Sequence, residues 1–285
     1  MAESVIVKNI SISSDSIHPR GWGTTTSLDR KLKSYRVEQT WYEKFAYECG
    51  MECRLPKFYG AQLRDDRRIL LLEDLNGSGY PVRKSQFDKN EVKACLSWLA
   101  SFHAIFMGSS GSDLWAIGTY WYLSTRQDEL RAMEESALKE NASRIDHKLN
   151  SCRYKTILHG DAKVANFCFS QDSMQVAAVD FQYVGNGCGM KDVVYLFSSC
   201  MNEKECSLWT SDLIDYYFEC LFEALNGKIS DQEFVFLEHE WREMYSVAWA
   251  DFCRFLEGWS PGHYKLNSYN RRMVETTLSL FSELG

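Results

Sequence analysis

The residues best placed by type and spacing to do chemistry lie in Leu158-His-Gly-Asp-Ala-Lys-Val-Ala-Asn166, followed by Val179-Asp-Phe-Gln182. Asp161 and Asn166 stand five positions apart on one loop, and Asp180 closes a short apolar run fourteen positions further on. Phosphoryl transfer needs one carboxylate beside the attacking hydroxyl, and oxygen ligands for a divalent cation that neutralises the phosphates. The expectation is that Asp161 accepts or orients a substrate hydroxyl while Asn166 and Asp180 hold magnesium. Taken singly, each residue reads as an ordinary turn, loop cap or strand end. Their order and strand contexts together make the phosphotransferase reading.

Something must position that loop. Thr156 to Phe169 and Gln175 to Phe181 read as short strands around it. Ahead of them, Ser4 to Ile12 is β-branched and reads as a strand, and a loop from Ser13 to Ser27 carries His18, Pro19, Gly21 and Gly23. Leu28 to Tyr47 repeats apolar residues at helical spacing, Lys57 to Gln62 forms a short segment, and Arg68 to Leu75 is a buried strand. After Gly77-Ser-Gly-Tyr-Pro81 helices take over: Glu91 to Met107, a polar, exposed helix from Gln127 to Leu149, and three more at Leu208 to Leu225, Asp231 to Leu256 and Tyr269 to Leu284. The pattern predicts an N-terminal mixed part, residues 1–76, and a larger helical part, residues 77–285.

HGDAKVAN followed by VDFQ resembles the catalytic and metal-binding motifs of the aminoglycoside-phosphotransferase and choline-kinase superfamily. The DFQ form is most similar to its ecdysteroid-kinase-like branch. The resemblance spans most of the chain and implies an α+β, bilobal, protein-kinase-like fold that uses ATP and Mg2+ to phosphorylate a hydroxyl of a small molecule. Within it, Val5-Ile-Val-Lys8 resembles the strand whose lysine contacts the nucleotide phosphates. Glu38 on the next helix is the expected ion-pair partner, with Glu43 as the alternative. Glu73-Asp74-Leu75 falls at the family's inter-lobe hinge, so backbone groups of Glu73 and Leu75 are expected near adenine, and Asp192 is expected to anchor the catalytic loop. The resemblance also implies a glycine-rich hairpin before the Lys8 strand, where seven residues stand. The expectation is therefore a truncated N-terminal lobe, with a nucleotide-binding pseudokinase as the alternative function.

Other features take plainer readings. His103 reads as a hydrogen-bonded core histidine, His159 as a support of the loop, and Gly185-Asn-Gly-Cys-Gly189 as a mobile loop. Glu238, Glu240, Trp241, Tyr245, Trp249, Asp251 and Trp259 are candidates for an acceptor wall suited to a cation, or else core and solvated face. A net charge of −7 over 285 residues gives no electrostatic basis for a nucleic-acid or anionic-membrane partner. Ten dispersed cysteines without a CxxC pair, an opening MAESVIVKNI unlike a signal peptide, and the lack of a long apolar run point to a soluble cytoplasmic protein with reduced thiols.

Overall fold

The β-branched run near the start forms strand β1 (Val5–Ser11), and the segments around the first helix's exit form β2 (Phe58–Arg64) and β3 (Arg67–Glu73). They make an antiparallel sheet in the order β1-β3-β2, in which Lys8 lies opposite Leu70 and Val5 opposite Glu73. The apolar β3 run takes the centre because that position buries both its ladder edges. Leu70 and Leu72 point into the core and Leu71 to the outside, the period-two alternation of a half-buried strand. The computed structural model describes residues 4–11, 25–64 and 67–283. The loop expected to carry His18, Pro19 and Gly21-Trp-Gly23 lies outside the described residues.

Helix α1 (Thr25–Lys44) buries Val37, Trp41 and Tyr42 on one face. It takes up the last three residues of the loop expected to run to Ser27. Trp41 stacks on Phe181 at 5.1 Å between ring centroids and meets Phe102 at 5.4 Å. Those contacts join α1 to helix α2 (Lys89–Ile105), whose start is fixed by a capping box between Asp88 and Glu91. Each fully buried aromatic of this cluster contributes roughly 1.5–3 kcal/mol of apolar burial, so the residue next to Asp180 is held by packing from two helices.

The expected polar helix from Gln127 to Leu149 is instead three short helices, α3 (Gln127–Ala132), α4 (Ala137–Glu140) and α5 (Ala142–Asn150). Met133 turns extended, and the Ser136 side chain caps α4. The segment is not simply exposed, because Met133, Leu138, Ala142, Ile145 and Leu149 are buried between its many charges. Strands β4 (Thr156–Leu158) and β7 (Gly185–Gly187) pair antiparallel, as do β5 (Phe167–Phe169) and β6 (Val176–Ala178). This corrects the mobile-loop expectation for Gly185 to Gly189. A Cβ on Gly185 would stand 2.3 Å from the Trp115 carbonyl oxygen and one on Gly187 2.7 Å from Leu158, so the glycines serve close backbone packing.

Helices α6 (Met190–Cys200), α7 (Glu203–Ala224), α8 (Asp231–Trp259) and α9 (Ser268–Glu283) complete the chain. Trp241, Tyr245 and Asp251 are buried on α8, and the Glu240 carboxylate accepts the backbone N–H groups of Arg153 and Tyr154. These residues belong to the core and its supports rather than to an acceptor wall, while Trp249 borders a surface cleft. All ten cysteines are free thiols. Among the described residues no helix is long and apolar enough to cross a membrane.

Candidate active site

The loop after β4 turns at Gly160, whose φ of +76° suits glycine. A Cβ there would lie 2.0 Å from the Tyr183 carbonyl oxygen. Asp192, in the first turn of α6, fixes this turn from behind. Its Oδ2 accepts the His159 N–H at 2.6 Å and its Oδ1 the Gly160 N–H at 2.9 Å. His103 Nε2 stands 3.2 Å from the same carboxylate, and His103 Nδ1 lies 2.8 Å from the Tyr217 hydroxyl. The Asp192 carboxylate only accepts, so Nε2–H donates to it, and in that tautomer Nδ1 accepts the Tyr217 hydroxyl. His159 in turn places Nε2 3.1 Å from the Val179 carbonyl, tying the loop to the residue before Asp180.

Asp161 emerges from this frame almost entirely buried. Its Oδ2 accepts Lys163 Nζ at 2.8 Å and Asn166 Nδ2 at 2.9 Å, and Asn166 Nδ2 also reaches the Asp161 carbonyl at 2.8 Å. Burial pushes the Asp161 carboxyl up to about 6, against the pull of Lys163 and Asn166. A carboxylate poised there is ionised at neutral pH yet basic enough to take a proton from an approaching hydroxyl. Because Asn166 spends its amide nitrogen on Asp161, the carbonyl oxygen is the atom it presents to a cation. The Asn166 backbone carbonyl accepts the Val179 N–H at 2.9 Å, which brings the loop against Asp180.

Asp180 adopts a φ of +69°, an uncommon conformation for a non-glycine residue, and its side chain is one-third exposed. From the sheet comes Lys8. Its ammonium lies 2.7 and 2.6 Å from the two Glu38 carboxylate oxygens and 3.3 Å from Asp180. Burial works against the Lys8 charge, but the Glu38 and Asp180 carboxylates outweigh it and raise its pKa. Burial pushes the Glu38 carboxyl up while Lys8 draws it back. Glu43 instead accepts from the Gln39 amide, so the structure brings Lys8 to Glu38. Gln182 reaches back to α1 through Ser34 at 3.5 Å, giving the last residue of the VDFQ motif a contact with the same helix.

Glu73 and Leu75 lie apart from this group. Along the β1–β3 ladder Glu73 sits three positions from the residue opposite Lys8, about 10 Å at the usual strand rise. The Glu73 carboxylate is held by Arg54 at 2.6 Å and its backbone N–H donates to the Lys57 carbonyl at 2.9 Å. The Leu75 carbonyl accepts the N–H groups of Ser78 and Tyr80. Sequence reasoning passed over Lys163, although a cation inside HGDAKVAN was itself a signal. It also passed over the floor of the site, where Trp115 donates to the Gln182 carbonyl at 2.8 Å beneath Lys33. Among the described residues no group of three or more His, Cys, Asp or Glu side chains is arranged to hold a metal ion. Asn166 and Asp180 fit a cation that draws its remaining oxygens from phosphates and water.

The sequence profile of the ecdysteroid kinase-like family matches residues 30–109 and 118–227. No curated protein matches the chain. In fold the chain is similar to an amicoumacin kinase, hAmiN, solved with AMP-PNP, Ca2+ and Ami, with a TM-score of 0.52 at 11% identity over 98% of this chain and 81% of that one. It is also similar to aminoglycoside 2'-phosphotransferase-IIIa in its GDP complex, with a TM-score of 0.51 at 9% identity over 88% of this chain and 84% of that one. At such identities the likeness is one of fold: the mixed α+β architecture of small-molecule kinases.

Proposed function

Since this chain belongs to the ecdysteroid kinase-like family, we propose that it transfers the terminal phosphoryl group of ATP to a hydroxyl of a small molecule. The observation that carries the proposal is the chain of contacts, from separate elements, that joins the Lys8–Glu38 pair to Asp180, the Val179 backbone to Asn166, and Asn166 to Asp161. In this reading Lys8, held by Glu38, contacts the nucleotide phosphates. Asn166 Oδ1 and Asp180 hold Mg2+, which supplies neutralisation of phosphate charge when bound. The acceptor oxygen forms its bond to the γ-phosphorus as the bond to the β-phosphate oxygen breaks and ADP leaves. Asp161 takes the hydroxyl proton, with Asn166 and Lys163 fixing the carboxylate's orientation. Most of the acceleration then comes from positioning and charge stabilisation.

The nucleotide complexes of the two fold neighbours support a nucleoside triphosphate as donor. We place the lobe boundary near residue 76, and assign the backbone at Glu73 and Leu75 to the adenine side. Ten free thiols support a reducing compartment such as the cytoplasm. The test is thermal unfolding with and without ATP and magnesium, since a ligand selective for the folded state raises the midpoint with its occupancy. A magnesium-dependent rise that Asp180→Ala removes is expected. No rise at millimolar ATP refutes the reading.

A further inference from the structure

Lys8 is held at both ends. Its backbone lies opposite Leu70 in the ladder between β1 and the central strand β3. Its ammonium lies 2.7 and 2.6 Å from the two Glu38 carboxylate oxygens, and Glu38 is buried. An ammonium that swung out to water would leave that carboxylate buried without its counter-charge, which is costly. Lys8 therefore stays in place.

The third contact of the ammonium is Asp180 Oδ1, at 3.3 Å. The backbone that carries Asp180 is fixed as firmly. The Val179 N–H donates to the Asn166 carbonyl at 2.9 Å, and Phe181 is fully buried with its ring 5.1 Å from that of Trp41. A strand and a packed aromatic thus keep ammonium and carboxylate side by side.

That neighbour bears on which cations Asp180 accepts. Asp180 and Asn166 Oδ1 are two of the about six oxygens that a hard divalent ion takes, so a free ion would enter with neutral water as its remaining shell. It would meet the like charge of Lys8 across one carboxylate, where the two side chains are 29% and 34% exposed and water screens poorly. The neighbouring anions are engaged: Glu38 by Lys8, and Asp161 by Lys163 and Asn166. An ion that brings phosphate oxygens reverses the effect, because the phosphates attract both cations.

We propose that Lys8 makes the Asp180 site selective, turning away a free divalent cation and admitting one that arrives with the phosphates of a nucleotide. This selectivity deepens the kinase reading, on which it rests, by fixing a binding order: metal no earlier than nucleotide. By linkage, nucleotide and cation strengthen each other's binding, and Lys8 carries part of that coupling.

The experiment follows Mn2+ alone, whose free-ion EPR signal is lost on binding, with the full chain and no nucleotide. Compared with the parent are Lys8→Met, the double variant Lys8→Met with Glu38→Gln, and that double variant with Asp180→Ala added. The double variant replaces an ion pair by two neutral side chains, so the net charge around Asp180 is unchanged while the ammonium is gone, and no buried carboxylate is left unpaired. Its Mn2+ affinity is expected to exceed the parent's by about tenfold or more, within the usual range of a coupling between sites, and Asp180→Ala removes the gain. ATP then strengthens Mn2+ binding by a larger factor in the parent than in the double variant. Equal Mn2+ affinity in the parent and a folded double variant overturns the proposal. So does a gain confined to Lys8→Met, which traces to the uncovered Glu38 carboxylate, and so does a gain that survives Asp180→Ala. A gain in the double variant of a chain whose midpoint does not respond to Mg-ATP upholds the exclusion by Lys8 while overturning the kinase reading.

Discussion

Replacing Asp192 by Asn tests whether the catalytic turn is held from behind as its geometry implies. The carboxylate is fully buried and accepts two backbone N–H groups, at 2.6 and 2.9 Å, while the third donor, His103 Nε2, stands at 3.2 Å. Asparagine offers one acceptor oxygen and one NH2. If the oxygen stays with His159 and His103, the NH2 faces the Gly160 N–H donor to donor. An unsatisfied buried donor costs about 1–3 kcal/mol, and two bonds that fall from charged to neutral acceptors lose about 1 kcal/mol each. The sum, about 3–5 kcal/mol, is a large part of a typical folding free energy. At about 3 °C per kcal/mol for a chain of this size, the midpoint falls by roughly 10–15 °C. Tryptophan fluorescence during heating reads it directly, and a drop of under about 2 °C would refute the account of Asp192 as the fixed point of the loop.

Lys8→Met leaves the buried Glu38 carboxylate beside Asp180, so stability falls by about 2–3 kcal/mol and falls further as pH rises above the unfolded carboxyl range. Adding Glu38→Gln recovers a good part of the loss in a denaturant cycle, and equal single and double variants contradict the pairing. Because burial raises Asp161 to about 6 in the free chain, kcat/KM rises about tenfold per pH unit below that value and levels above it. The same shift means that folding stability contributed by protonated Asp161 is present at low pH and lost as pH climbs from 3.8 to about 6. A pH–rate profile whose acid limb breaks near 4 contradicts this. Gly160→Ala combines a positive φ with a Cβ 2.0 Å from a carbonyl oxygen, costing more than about 3 kcal/mol, and a midpoint within 2 °C of the parent chain rules the clash out.

What was legible in the sequence was what is contiguous. The HGDAKVAN loop, the VDFQ strand end and the VIVK strand each occupy one short stretch, so their element types and order could be read from spacing alone. The Lys8–Glu38 pair came from the family resemblance, since the local pattern of the helix left Glu38 and Glu43 equally open as partners. The segment from Gln127 to Leu149 was misjudged because its charges outnumber the apolar residues that bury it, and periodicity across Met133 concealed the break. The glycines of β7 read in sequence as a sign of freedom, whereas their role is to let Trp115 and Leu158 come close, which depends on neighbours distant in the chain.

The ten free thiols give the chain a built-in clock. Eight are buried, at Cys53, Cys95, Cys152, Cys168, Cys188, Cys200, Cys206 and Cys253, and two, Cys49 and Cys220, are half-buried. A thiol reagent in solution can label the buried ones only when the structure around them opens, so each labelling rate times an excursion of its own neighbourhood. Cys168 sits in β5 next to the catalytic loop and Cys253 deep in α8. Mass spectrometry of labelled peptides would therefore rank, without any introduced probe, which parts of the molecule breathe first and which open only when the whole chain comes apart.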